Sequence, residues 1–300
     1  MSGHSHDHSH AHDPDHSHDH DHSHDSDFDW ARFAEQLELE ATTLMPLIDD
    51  VVGGHTPSVD WPTVHHVLDL GCGPGVISCA LARHAPRAHI TALDSSVPLL
   101  SRVRHHATEA HVATRVHTLE ADMEAVLPAL RPMDVVWAGM VLHHVADRAA
   151  VLGNLLHILQ PGGTLVMIEF ADPPEALPAD DPAIDAWNRM EAGVVASRNQ
   201  RIGVDPNTID WPTLLAAAGF EAITDATLSA VHDAPLGDAA RQWLQRHVER
   251  GIEWLDGTLA ADDVTQLTAV AAAIPTRDDL TLRHERRVLT ARRPLAPASH

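Results

Sequence analysis

The chain has no lysine, no tyrosine, four phenylalanines and two cysteines in 300 residues. Two cysteines, Cys72 and Cys79, cannot build a disulfide framework, and they do not stand at metal-ligand spacing, so they fit a reducing cytoplasm. No run of about 18 apolar residues occurs, which excludes a membrane-spanning helix. The first residues lack both the basic start and the apolar stretch of a secretory signal, so a soluble, cytoplasmic protein is expected. The missing lysine and tyrosine accompany abundant alanine, arginine and aspartate, a compositional bias to which no mechanism attaches.

Positive charge is scarce as well. Twenty basic residues face 43 acidic ones, for a net charge of −23. Eight of the acids and none of the arginines fall in residues 1–30, which leaves −15 for the remainder. The densest basic group, Arg283, Arg286, Arg287, Arg292 and Arg293, is too short to make a long patch. An acidic surface repels a phosphate backbone, so nucleic acid is disfavoured as a partner.

Histidine and aspartate are what the chain has in excess. Residues 1–27 are almost wholly His, Asp and Ser, with ten histidines from His4 to His24. Such a segment cannot bury enough apolar surface to offset its chain entropy and is expected to be a disordered tail. His4, His6, His8, His10 and the histidines that follow offer His-x-His spacing suited to labile Ni²⁺, Zn²⁺ or Cu²⁺ binding, though the tract fixes no geometry. No metal site is expected in the folded core.

Order is expected from Phe28. Trp30, Phe33, Leu37, Ala41 and Leu44 recur at helical spacing, and Pro46 ends or kinks that helix, giving a helical cap over residues 28–58. Residues 59–170 then alternate strand and helix patterns. Strands are expected near 64–70, 89–94, 114–118, 133–138 and 163–169, with helices near 75–84, 97–111, 123–130 and 147–159. That order implies a parallel sheet with right-handed crossovers. A Pro- and Asp-rich insertion over 171–208, with a helix around Ile184 to Ser197, follows a strand's C-terminal end, where α/β folds bind ligands. The remainder, 209–300, reads as a helix near Trp211 to Ala218, a strand from Phe220 to Val231, a helical insertion over 236–273 and a last strand near Leu280 to Ala291.

The sequence Val67-Leu68-Asp69-Leu70-Gly71-Cys72-Gly73-Pro74-Gly75 puts a buried strand before a Gly-x-Gly-x-Gly turn that opens a helix. Glycines there allow positive φ and close approach to a ligand. A dinucleotide loop wants Gly-x-Gly-x-x-Gly, but Val76 stands where that third glycine would fall. The loop resembles the signature of class I S-adenosylmethionine-dependent methyltransferases. That resemblance implies a doubly wound α/β fold with a seven-stranded, mostly parallel sheet and an antiparallel last strand. It implies that the loop (Asp69, Gly71, Cys72, Gly73, Gly75) meets the aminoacyl end of S-adenosylmethionine. It also implies that Asp94, with Ser95 beside it, bonds both ribose hydroxyls. A carboxylate suits a vicinal diol because it accepts two charge-assisted hydrogen bonds at once. By the same resemblance Asp122 faces the adenine amino group, Met123 packs on the ring, and Ala138, at the end of the fourth strand, is a further cofactor-binding residue. That strand leads into a loop, Met140 to Val145, beneath the reactive methyl. Gln160-Pro161-Gly162-Gly163 matches the family's helix-ending turn.

Methyl transfer from a sulfonium is an in-line displacement, and a base is needed only when the attacking atom must lose a proton early. His143 and His144 are the candidates, with His143 favoured by its place nearer the strand. The alternative is that one histidine caps the next helix and the other packs in the wall. Glu169 and Asp172 could orient a polar substrate or simply be solvated. Trp187, Arg189 and Met190, with Trp30 and Phe33, could form a lid or belong to an accessory helical core.

The leading expectation is therefore methyl transfer to an O, N or C atom of a small molecule enclosed by the two accessory segments. A protein or RNA substrate would need an open active face. A metal-buffering or interaction protein on the same fold, and a dehydrogenase, are the further alternatives. The acceptor's identity and the oligomeric state are not written in the sequence.

Overall fold

Strand β1, His66–Leu70, is buried along four of its five residues, as the central strand of a parallel sheet must be when helices cover both faces. The computed structural model in which it lies describes residues 29–55 and 59–295. The His/Asp-rich segment 1–27, with its expected metal ligands, falls outside the described residues.

The described elements run in the order α1 (Trp30–Thr43), α2 (Met45–Asp50), β1, α3 (Val76–His84), β2 (His89–Asp94), α4 (Val97–Glu109), β3 (Val116–Glu120), α5 (Met123–Val126), β4 (Met133–Gly139), α6 (Arg148–Ile158), β5 (Leu159–Phe170), α7 (Ile184–Ile202), α8 (Trp211–Ala218), β6 (Glu221–His232), α9 (Asp238–Trp254), α10 (Ala261–Ala273) and β7 (Leu282–Arg292). One seven-stranded sheet has the order β3-β2-β1-β4-β5-β7-β6. β1 to β5 pair in parallel, and β7 runs antiparallel to both β5 and β6. The strand order reverses between β1 and β4, and the C-terminal ends flanking such a reversal are where open α/β sheets bind ligands.

Side chains alternate across the sheet with period two. Val67, Val135 and Trp137 enter one core layer, roofed by α3 and α4, while Leu68, Val136 and Ala138 enter the other, roofed by α6 and α8. A third core joins α7, α9 and α10. The helix starts follow local chemistry: Ser96, Asp147 and Asp210 cap α4, α6 and α8 by accepting backbone N–H bonds. Gly203 and Gly219, both at positive φ, close α7 and α8.

Several expected boundaries move. The helix expected over 123–130 stops at Val126 and continues only as a tight turn over Leu127–Ala129, which contains Pro128. The third strand lies two residues later than expected. Gln160-Pro161-Gly162-Gly163 is not a turn before β5 but a bulge within it: Leu159 pairs with Met133 and Thr164 with Val135, leaving four residues between. Gly162 has φ +83°, and a Cβ on Gly163 would lie 2.9 Å from the Gln160 carbonyl oxygen and 3.0 Å from that of Asp134. Among the described residues no helix is long and apolar enough to cross a membrane.

Candidate functional site

Two loops meet at the strand-order reversal. Gly71, Gly73 and Gly75 have φ of +66°, +54° and +84°. A Cβ on Gly71 would stand 2.5 Å from Val141 Cγ2, so the loop after β1 packs directly on the loop after β4. A Cβ on Gly75 would stand 2.9 Å from the Val103 Cα, so glycine lets α3 start tight against α4. Met140, the first residue after β4, is itself at φ +57° and donates its N–H to the Ile168 carbonyl at 2.8 Å. A non-glycine residue in that region costs about 1–2 kcal/mol, which the packing around the loop must hold.

The acidic residues at this end take fixed positions. Asp69, on the α3 face of β1, is buried and accepts from the Ser78 hydroxyl at 2.5 Å. Burial pushes its carboxyl up to about 7; the Ser78 bond opposes the rise and the Asp94 charge adds to it. Asp94 ends β2, and its two oxygens accept from the Gly73 N–H at 3.0 Å and the Ser96 N–H at 2.9 Å. Burial raises this carboxyl too, against those backbone bonds. The Gly73 bond ties the tip of β2 to the glycine loop, a link that spacing alone does not reveal. Ser95 is exposed beside it. Asp122 is exposed and caps α5, accepting from the N–H groups of Glu124 at 2.7 Å and Ala125 at 3.2 Å, with Met123 half-buried. Cys72 is buried with its thiol pushed well up by burial, so it is an inert wall group. Ala138 is buried within β4 between Leu70 and Met167.

The two histidines separate. His143 is 2% exposed, and its Nδ1 lies 2.6 Å from Glu169 Oε2, itself on a residue 1% exposed at the end of β5. With the carboxylate accepting, the ring carries its proton on Nδ1 and leaves Nε2 as the basic nitrogen. Glu169 Oε1 is buried without a partner among the described residues. His144 is exposed, its ring centroid 4.1 Å from that of His143. Asp147 caps the following helix, so neither histidine serves as its cap. Asp172 is exposed, unlike Glu169.

The accessory segments close over this end with residues other than those expected. Trp187 and Met190 are buried in the α7–α9–α10 core, and Arg189 pairs with Asp263 of α10 at 2.7 Å. They belong to the accessory core because their face of α7 turns toward α9 and α10. Trp30 and Phe33 stack edge-on near the surface, 6.2 Å apart. The contacts over the site come instead from Leu37, whose Cδ1 would lie 3.8 Å from a Cβ on Gly73, and from Glu40, which accepts from Arg286 Nη2 at 2.8 Å. From α7, the Arg198 guanidinium lies 4.0 Å above the Phe170 ring, which is 4.9 Å from the His143 ring. Spacing places Leu37 on a helix face and Arg286 in a basic group, but no spacing rule gives these contacts, or those of Glu40, Phe170 and Arg198, since each partner is distant in sequence.

The donor set fits a methyl-donor cofactor. The loop offers three glycines at positive φ, the strand end offers a carboxylate whose oxygens accept backbone bonds, and the loop itself contains no basic residue to meet a phosphate. The densest basic run is taken up in pairs: Arg283, Arg286, Arg287 and Arg292 pair with Glu285, Glu40, Asp225 and Glu221, and Arg293 bonds the carbonyls of His157 and Leu159.

A family model described as a methyltransferase domain matches residues 67–163. The chain is 41% identical over 101 residues to a ubiquinone biosynthesis O-methyltransferase of Xylella fastidiosa, a match that covers 33% of this chain and only 39% of that protein's length. It is 31% identical over 236 residues to a trans-aconitate 2-methyltransferase of Streptomyces coelicolor, covering 76% of each. The solved structure of an O-methyltransferase family protein from Burkholderia thailandensis has the same fold, with a TM-score of 0.53 at 14% identity over 89% of this chain and 60% of that one.

Proposed function

The chain belongs to the class I S-adenosylmethionine-dependent methyltransferases, and on that premise we propose that it methylates an O, N or C atom of a small molecule enclosed beneath α1 and α7. The observation that carries the small-molecule reading is the roof. Leu37 and Glu40 of α1 and Arg198 of α7 reach over the ends of β1 and β5 and the middle of β7. A polypeptide or nucleic-acid substrate would need that face open.

Asp94 is the proposed ribose ligand, Ser95 lies beside it, and Asp69 with the Gly71–Gly75 loop takes the aminoacyl end. Asp122, Met123 and Ala138 are proposed to border the adenine and the methyl-bearing side. The bound cofactor supplies an electrophilic methyl on a sulfonium. The protein's share is to position the attacking atom in line and to keep water away. His143 is the proposed base: Nε2 takes the proton from the attacking atom while Glu169 holds Nδ1 and balances the imidazolium charge. The relative from Streptomyces coelicolor, named for trans-aconitate, makes that compound a first acceptor to try. Incubation with methyl-labelled S-adenosylmethionine and small-molecule extracts tests the proposal. Label in a small molecule is the expected result, and label only in protein or RNA overturns it.

A further inference from the structure

In a chain of net charge −23, α7 and α9 carry guanidinium groups without a carboxylate ion-pair partner among the described residues. Among the described residues Arg198 bonds the side-chain oxygen of Asn199 alone, through Nε at 3.1 Å and Nη2 at 2.9 Å. Arg201, one turn further on, lies 3.8 Å over the Trp254 ring at the end of α9. Arg250 of α9 has no hydrogen bond or ion pair among the described residues. The charges facing it are Glu40, Arg32, Arg201 and Glu253. Both of those carboxylates are engaged already, Glu40 by Arg286 at 2.8 Å and Glu253 by Arg32 at 2.7 Å.

The placement is specific. Phe170 pairs with Arg286 across the β5–β7 ladder, and its ring bridges the His143 ring at 4.9 Å and the Arg198 guanidinium at 4.0 Å. Arg198 is thus one aromatic ring away from the proposed base. Burial lowers the pKa of Arg198 and Arg250, and Arg286 adds to the effect at Arg198, with Asp205 opposing it. Holding these charges in a half-buried roof is therefore costly, and a bound anion would relieve that cost. A planar guanidinium fork matches a carboxylate bidentately.

We propose that the methyl acceptor is a small carboxylate-bearing anion, held by Arg198 across the Phe170 ring from His143, where its methylated atom lies. This rests on the methyl-transfer reading above. An extract divided on an anion exchanger before reaction separates the two. Each pool is incubated with the full chain and methyl-labelled S-adenosylmethionine, while cofactor binding is measured by calorimetry. Label arising from the retained, anionic pool is expected. For the labelled acceptor, Arg198→Gln should raise KM at least tenfold with a smaller effect on kcat. Arg198→Lys should recover part of the loss, and Arg189→Gln, outside the roof, should leave KM unchanged. Label arising from the unretained pool, or an unchanged KM in Arg198→Gln, overturns the anion proposal alone, whereas no label in any pool from a chain that binds the cofactor overturns the small-molecule reading with it. Failure to bind the cofactor overturns the reading beneath it.

Discussion

His143 and Glu169, 26 residues apart in sequence, meet at 2.6 Å where β4 and β5 end, both buried. If the pair acts as base and orienter, His143→Ala lowers kcat by about 100-fold or more, and Glu169→Gln lowers it by less because the imidazole remains. Neither change should weaken S-adenosylmethionine binding. Equal losses in cofactor affinity and turnover would show that the pair only supports the loop.

Glycine at position 75 is a packing requirement. With φ +84° and a prospective Cβ 2.7 Å from Val103 Cγ2, Gly75→Ala must strain the backbone and push α4 away. A loss of about 2–4 kcal/mol in urea unfolding is expected. Gly153, inside α6 with nothing within 4 Å of its prospective Cβ, is the contrast. Gly153→Ala should stabilise by about 0.5–1 kcal/mol.

Asp69 makes stability depend on pH. Its carboxyl titrates at about 7 in the folded chain against 3.8 ordinarily, so the folded state keeps a proton that the unfolded chain releases. The contribution is complete below the ordinary carboxylate pKa and is lost as pH rises through about 7. Asp69→Asn should therefore gain on the wild type by about 4 kcal/mol between acid and mildly basic pH. A difference in unfolding free energy that stays flat with pH contradicts this.

His284 acts in the opposite direction. It is 1% exposed against Trp243, neither ring nitrogen has a partner among the described residues, and burial, with Arg286, His247 and His232 nearby, pushes its pKa down to about 2. The unfolded chain takes up a proton near 6.5 that the folded chain refuses, so stability is lost as pH falls below that value. His284→Phe should stabilise at about pH 5 by about 2 kcal/mol, with a smaller effect above neutrality. Acid unfolding curves of the two proteins give the comparison.

The alternating core was legible because its signals are local. Val67 to Leu70 is a buried run ending at glycines, and Asp94 falls at the end of the next such run. The helix near Trp211 to Ala218 ends as expected, at Gly219. What escaped depends on contacts across the fold. The Gln160–Gly163 segment has turn composition yet bulges inside β5, because pairing with β4 resumes at Thr164. Trp187 and Met190 sit in an insertion placed to cover the site, but their apolar bulk is taken by α9 and α10. The roof is made by Leu37, Glu40 and Arg198, whose roles follow from Gly73, Arg286 and Phe170.

The most direct test of the account is calorimetric titration of S-adenosylmethionine into the chain and into Asp94→Ala. Asp94 is fixed at the end of β2 by the N–H groups of Gly73 and Ser96, and loss of the two proposed charge-assisted bonds to the ribose diol should cost about 3 kcal/mol, roughly a hundredfold in affinity. Saturable one-to-one binding that weakens by that order in the variant is the predicted result. No binding to the wild-type chain, or equal affinity in both, would contradict it.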